Sequence, residues 1–105
     1  MEPKDILSIN PLLMDRTRLA ILATLVPEDT PMDFVTLLDR LELTRGNLSV
    51  HTRKLEDAGF VTIDKKFLDR NPVTTYVCTV AGRRAMEDYL SQMEGLLGGA
   101  LKVSQ

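Results

Sequence analysis

The chain has 105 residues, a length that suits one domain and buries about two thirds of the surface exposed when unfolded. Hydrophobic residues make up 44% and charged residues 27%, a composition that excludes a disordered or membrane-embedded protein. The net charge of −2 argues mildly against a nucleic-acid partner, but it is unevenly distributed: residues 1–43 carry −4 and residues 44–70 carry +2.

The first predicted helix follows an apolar N-terminal segment. Asp15 is a suitable N-cap for a helix running through Arg16 to Leu25, and Pro27 stops it. Apolar residues at three- and four-residue spacing predict its buried face, which consists of Leu19, Leu22, Ala23 and Val26. The short stretch from Pro27 to Pro31 then connects it to the next helix.

Two further helices are predicted with a tight turn between them. Asp33 caps a helix from Phe34 to Arg40, and Thr44 caps a helix that reaches Ala58 and ends at Gly59. The first of these has an apolar face formed by Phe34, Leu37, Leu38 and Leu41. Two short helices joined by about three residues are a helix-turn-helix candidate.

From Phe60 the apolar pattern changes to a period of two, which predicts a strand. A polar stretch, residues 69–72, separates it from a second β-rich run at residues 74–79, so the pair predicts a hairpin. Thr79 can cap a final helix from Val80 to about Leu97, ended by the two glycines that follow.

The third helix has the surface that a DNA recognition helix needs. At 100° per residue, Leu48 and Leu55 share a buried stripe with Gly59, whereas the opposite side is small, polar and basic. Such a face fits the major groove, where its donors reach base edges or phosphates; a solvated helix face is the alternative. The predicted DNA-binding residues of this helix are Thr44, Arg45, Gly46, Asn47, Ser49, Val50, Arg53 and Lys54.

Several phrases of the sequence, in order, resemble winged-helix transcriptional regulators of the MarR-like and ArsR-like groups. They are Asp15 to Leu22 in the opening helix, Leu43 to Ser49 at the start of the recognition helix, Leu55 to Val61 at its exit, and Thr74 to Ala85 across the second wing strand and last helix. The resemblance extends from about Asp15 to Leu97. The chain is also similar in length to small archaeal and bacterial stand-alone winged-helix domains.

The resemblance implies an α+β, mostly α, fold: a winged helix-turn-helix with a three-helix core, a two-stranded wing and a long C-terminal helix. We expect one domain, comprising an N-terminal dimerisation segment (1–14), the winged helix (15–79) and the C-terminal helix (80–105). In the wing, Lys65 and Lys66 are predicted to clamp phosphates and Arg70 to reach into the minor groove, although all three could merely solubilise an exposed hairpin.

A homodimer is predicted from the apolar stripe of the last helix together with the N-terminal segment. Two-fold symmetry would present two recognition helices to a pseudo-palindromic site. A purely intramolecular role for both segments is the alternative. The predicted interface residues are Ile6, Leu7, Ile9, Leu12, Leu13, Met86, Tyr89, Leu90, Met93, Leu96 and Leu97.

Other functions find little support in the sequence. It has no phosphate-binding loop, catalytic triad spacing or His-Glu metal motif, so we expect neither an enzyme nor a cofactor. Cys78 and His51 lack spaced partners for a metal; Cys78 is interpreted as a small hydrophobic strand residue and His51 as a hydrogen-bonded packing residue. The N-terminus does not resemble a signal peptide, so a cytoplasmic location is expected. The remaining alternative is a winged helix that binds protein instead of DNA.

Overall fold

The computed structural model describes residues 2–103, with side chains as far as residue 98. Two short 3-10 helices, Pro3–Ser8 and Pro11–Met14, lead into helix α1, Arg16–Leu25. The predicted cap of α1 is confirmed: the Asp15 carboxylate accepts hydrogen bonds from the backbone N–H groups of Thr17 and Arg18, at 2.9 and 3.0 Å. This satisfies donors that have no partner within the helix, and the helix ends two residues before Pro27.

The helix-turn-helix is confirmed as well. Helix α2, Phe34–Leu41, is capped by Asp33, and helix α3, Arg45–Asp57, is capped by Thr44. In the turn between them Glu42 adopts a left-handed conformation with φ of 52°, which lets the N–H of Leu43 bond to a carbonyl near the end of α2. The turn is therefore closed by backbone hydrogen bonds and needs no glycine.

The sheet has three strands where the sequence predicted two. Strands β2, Val61–Leu68, and β3, Asn71–Cys78, form the antiparallel hairpin, and a two-residue strand β1, Met32–Asp33, pairs with the other edge of β3. The additional strand was missed because two residues carry no recognisable alternation. It ties the connection before α2 to the base of the wing.

The hairpin is also longer than predicted. Residues 69–72 were expected to form the connection, but β3 begins at Asn71, and the turn consists of Asp69 and Arg70 alone. Both residues have positive φ angles, 50° and 70°, as in the two-residue turns whose twist matches that of paired strands. Arg70 therefore lies at the tip of the wing.

Helix α4, Val80–Val103, continues beyond the predicted end, so the prediction that Gly98 and Gly99 terminate it was wrong. Glycine lowers helix stability but does not by itself stop a helix. The predicted cap is confirmed, because the Thr79 hydroxyl accepts a hydrogen bond from the N–H of Gly82 at 3.0 Å. The same hydroxyl donates to the Gly59 carbonyl at 2.6 Å and so joins α4 to the end of α3.

A single apolar core lies between α1, α2, α3, the base of the sheet and the first turns of α4. Its buried side chains are Leu13, Ile21, Leu22, Leu25, Met32, Leu37, Leu48, Leu55, Val61, Tyr76 and Met86. Among the side chains that the structure describes, none from the outer part of α4 or from the distal hairpin belongs to this core. No helix in the described part of the chain is long and apolar enough to cross a membrane.

Candidate nucleic-acid interface

Helix α3 is held in a fixed orientation by its inner face. Leu48, Thr52 and Leu55 are buried, and the Thr52 hydroxyl donates to the Leu48 carbonyl at 2.8 Å, so its polar atom is satisfied. At the C-terminus Gly59, with φ of 81°, allows its own N–H and that of Phe60 to bond back to carbonyls of the last turn. Gly59 was predicted on the buried stripe, but it lies beyond the helix and is exposed.

The opposite face of α3 is open to solvent, as predicted. All eight residues proposed to contact DNA from this helix, Thr44 to Asn47, Ser49, Val50, Arg53 and Lys54, are exposed. An added Cβ at Gly46 would meet nothing within 4 Å, so the glycine leaves an open surface near the start of the helix. The small residues of this face, Gly46 and Ser49, permit the close approach that base-edge contacts require.

The wing and α3 together form a groove of about 460 Å³. Ser49 and Arg53 line it from the helix, and Lys65 lines it from strand β2. The structure thus brings together residues from two separate predicted clusters. The groove also contains Glu56, a carboxylate that reduces its positive charge, and the buried Tyr76, whose pKa is raised because burial disfavours the phenolate.

Arg45 has a partner that sequence reasoning missed. Its guanidinium lies 5.5 Å from the centre of the Phe34 ring, a cation–π arrangement across the helix-turn-helix. Phe34 was predicted only as part of the apolar face of α2. The contact restricts the Arg45 side chain at the N-terminal end of α3, beside Pro72, Val73 and Thr74 of the wing.

The two wing lysines do not act on one surface. Side chains alternate along a strand, so Lys65 and Lys66 point to opposite faces of the hairpin. Lys65 faces the groove, whereas the Lys66 ammonium lies 3.7 Å from the Asp64 carboxylate on the other face. Of the two lysines, only Lys65 lines the groove beside α3. The prediction that Lys65 and Lys66 contact phosphates and that Arg70 reaches into the minor groove stays a prediction.

A polar cluster braces α3 against α1. The Arg18 guanidinium donates to Nδ1 of His51 at 3.2 Å and to the Leu12 carbonyl at 2.7 Å. A guanidinium can only donate, so Nδ1 of His51 is the acceptor in this hydrogen bond. The predicted packing role of His51 is confirmed. The backbone N–H of Arg18 is the largest cause that lowers the pKa of Asp15 beneath its usual 3.8, and the nearby Arg18 charge acts in the same direction.

The predicted dimer residues fall into two groups. Ile9, Leu13 and Met86 are buried inside the chain's own core, so they have no surface to offer a second copy, and Leu12 and Tyr89 pack against that core. This part of the predicted interface is better explained by the intramolecular alternative. Met93 and Leu96 are half-buried, whereas Ile6, Leu7, Leu90 and Leu97 are exposed. These six lie outside the core and keep surface available to a second copy, so for them the predicted interface stays a prediction.

Cys78 lies on strand β3, as predicted, and is half-buried. Its thiol donates to the Thr79 carbonyl at 3.3 Å, and burial raises the pKa of the thiol, which disfavours the reactive thiolate. Within the described residues, no cluster of three or more His, Cys, Asp or Glu side chains could hold a metal ion.

Comparison with known proteins places this geometry in a family. A family model described as a winged helix DNA-binding domain matches residues 17–97, and the chain belongs to this family. An uncharacterized protein of Methanocaldococcus jannaschii is 36% identical over 61 residues, which are 58% of this chain and 66% of that protein, just under two thirds of its length.

Solved structures share the fold. A transcriptional regulator homologue from Pyrococcus horikoshii OT3 has a TM-score of 0.83 and 31% identity, covering 95% of this chain and 98% of its own. A MarR-family regulator from Rhodococcus sp. RHA1 has a TM-score of 0.67 at 17% identity, covering 88% and 66%. AbfR of Staphylococcus epidermidis, overoxidized and bound to DNA, has a TM-score of 0.69 at 19% identity, covering 90% and 71%. The predicted winged helix-turn-helix fold is confirmed.

Proposed function

We propose that this protein is a sequence-specific double-stranded DNA-binding transcriptional regulator that acts as a homodimer on a pseudo-palindromic operator. The observation that carries the proposal is the exposed face of α3, with Asn47, Ser49 and Arg53 outward and Lys65 of the wing across the same groove. Membership of the winged helix DNA-binding domain family supports it, as does the DNA-bound state of a protein with this fold.

The side-chain chemistry of the proposed DNA-binding residues assigns them different roles in affinity and in sequence preference. Arg53 and Lys65 are long cations that can neutralise phosphates and position the helix, which contributes affinity without sequence information. Asn47 and Ser49 are short groups whose donors and acceptors match base edges, and the exposed Val50 methyl groups suit the methyl group of thymine. Affinity therefore depends on the cations, and sequence preference on the polar and apolar side chains between them.

Salt dependence tests DNA binding. The affinity of the protein for fragments of its own promoter region should fall with increasing salt, with a log–log slope of about 0.9 per phosphate neutralised. Arg53→Ala should weaken binding to specific and random duplexes alike and reduce that slope by about one unit. Arg84→Ala is the matched control, because it removes another exposed arginine, on α4, that does not line the groove. Absent or salt-insensitive binding would favour a protein-binding winged helix instead.

Sequence preference is tested separately. Asn47→Ala or Ser49→Ala should change which sites are selected from random DNA, while affinity for random duplexes changes little. If these variants select the same sites as the unmodified protein, the assignment of base contacts to this face of α3 is wrong.

The dimer proposal uses the exposed apolar residues of α4. In a dimer, each copy would present one basic surface, and the two surfaces would lie one helical turn of DNA apart, roughly 34 Å. Because both copies would then contact the same duplex, the dimer would bind more tightly than the small charge excess of one copy allows. Met86 belongs to the core, so removal of α4 would disturb folding, and substitutions are the better test. Leu90→Lys with Leu97→Lys should give monomers in sedimentation, whereas Val80→Lys, at an exposed residue in the first turn, should not. A dimer that persists in the double variant would contradict a dimer interface formed by the exposed apolar residues of α4.

A further inference from the structure

Two exposed apolar side chains lie next to the charged turn at the tip of the wing, and the function proposed above does not use them. Phe67 and Leu68 at the end of strand β2 are 76% and 65% exposed, among the most exposed large hydrophobic side chains described. Their partners on β3 are Pro72 and Asn71. Burial of large apolar side chains is favourable, so two that remain largely exposed at the end of a hairpin are available to contribute to binding.

The two side chains lie on different faces of the hairpin. Alternation along β2 places Phe67 on the face of Ile63 and Lys65, which is the face that lines the groove beside α3. Leu68 lies on the face of Lys66, away from that groove. The aromatic ring is therefore continuous with the proposed DNA surface, and its aliphatic neighbour is not.

We infer that Phe67 is an apolar wedge that enters the minor groove beside the major groove read by α3 and partly unstacks one base step. The inference rests on the proposed DNA-binding function. Phenylalanine and leucine are side chains that bend DNA in this manner, and the cost of unstacking is recovered from the contacts that the bend permits. Lys65 and Arg70, two residues before the ring and three after it, supply the cations that hold the phosphates on either side.

The geometry of the tip fits a groove better than a protein surface. Asp69 and Arg70 close the hairpin in two residues, so no loop extends beyond the ring. One aromatic side chain buries about 150–250 Å², well below the roughly 800 Å² per partner of a stable protein interface. Among residues 64–70 three cations, Lys65, Lys66 and Arg70, outnumber two carboxylates, Asp64 and Asp69. The end of the hairpin therefore has a small positive charge, which adds attraction to an anionic polymer. DNA is therefore the occupant that both the size and the charge of the tip favour.

The wedge also predicts a form of sequence preference without hydrogen bonds. Pyrimidine–purine steps unstack more easily than others, so the wing should favour such a step at a fixed distance from the bases that α3 contacts. This preference should depend on Phe67 and not on Asn47 or Ser49.

The test compares Phe67→Ala with Leu68→Ala on a duplex of about 30 base pairs, selected from random sequence with the unmodified protein and labelled at both ends for energy transfer. We expect Phe67→Ala to lower affinity about tenfold and to reduce the bend, with an unchanged salt slope because no phosphate contact is lost. Leu68→Ala should leave affinity and bend unchanged. Phe67→Leu, which keeps an apolar wedge, should restore part of the bend. Thermal unfolding should be the same for all variants, since both positions are exposed.

The outcomes separate the two proposals. Salt-dependent binding by the unmodified protein, with Phe67→Ala equal to Leu68→Ala in affinity and bend, overturns the wedge and leaves DNA binding intact. A change in sedimentation of Phe67→Ala without a change in bend assigns the ring to a second copy of the chain and also overturns the wedge. Absence of binding by the unmodified protein to any selected or genomic duplex overturns both.

Discussion

Substitution of Gly82 by alanine should destabilise the protein, although alanine is the better helix former. Gly82 lies in the first turn of α4, where the helix crosses the exit of α3. An added Cβ would collide with the Phe60 carbonyl oxygen and would lie 3.1 Å from the Cys78 sulfur. That carbonyl cannot easily move, because it accepts the N–H of Thr79 at 3.0 Å. The clash therefore involves backbone on both sides.

The expected loss of stability in Gly82→Ala follows from two opposing effects. Replacement of glycine in a helix gains up to about 1 kcal/mol. Overpacking against a rigid neighbour costs about 3 kcal/mol, the upper part of the usual range, because the obstacle is backbone. The net loss of about 2 kcal/mol corresponds to a fall of about 10 °C in the melting temperature of a domain of this size.

Gly46→Ala is the matched control. Gly46 also lies in the first turn of a helix, but an added Cβ there meets nothing within 4 Å. The melting temperature of the Gly46→Ala variant, followed by circular dichroism at equal protein concentration, should be the same as that of the unmodified protein or slightly higher. If Gly82→Ala melts as high as Gly46→Ala, α4 does not dock on the end of α3 as the structure has it, and the reasoning fails.

Three further predictions concern the recognition helix and its supports. Leu48→Ala should lower the free energy of unfolding in urea by about 3 kcal/mol because Leu48 is fully buried, and the exposed Val50→Ala by less than about 0.5 kcal/mol; similar losses would mean that the faces of α3 are reversed. Asp15→Ala should cost about 1 kcal/mol at neutral pH through the lost cap. The folded pKa of Asp15 is lowered, so the contribution of its carboxylate is present above the unfolded value of 3.8 and is lost as the pH falls through the folded pKa. The difference in free energy of unfolding between Asp15→Ala and the unmodified protein should therefore shrink in acid. A difference that grows as the pH falls would refute this. Gly46→Ala should keep its stability but weaken binding to promoter DNA, since its methyl group projects from the open face of α3; unchanged affinity would place that part of the helix away from DNA.

Local signals predicted most of the helices well. Caps at Asp15, Asp33, Thr44 and Thr79 are correct because each depends on a side chain two to three residues from the N–H groups it satisfies. Burial of Leu48 and Leu55 on α3 also followed from residue spacing, whereas the prediction that Gly59 shares this stripe was wrong. The far end of α4 was predicted less well, since two glycines weaken a helix without ending it.

Pairings between distant segments were outside the reach of local patterns. Strand β1 exists only because Met32 and Asp33 pair with Tyr76 and Thr75 more than forty residues later. Arg45 and Phe34 each looked ordinary in sequence, and their stacking depends on the angle between two helices. Burial of Met86 in the core instead of at a surface between copies likewise depends on how α4 docks.

The sequence by itself determined the order of the four α-helices and the two wing strands and the small, polar, basic face of α3, because these depend on caps and periodicity within a few residues. Only the tertiary structure decided which residues share a surface. It placed Lys65 with Ser49 and Arg53 in one groove, set Lys66 on the other face, and left Phe67 exposed at the tip of the wing. The physical reason is that strand register and helix docking are set by contacts between residues far apart in the chain, which no local pattern records.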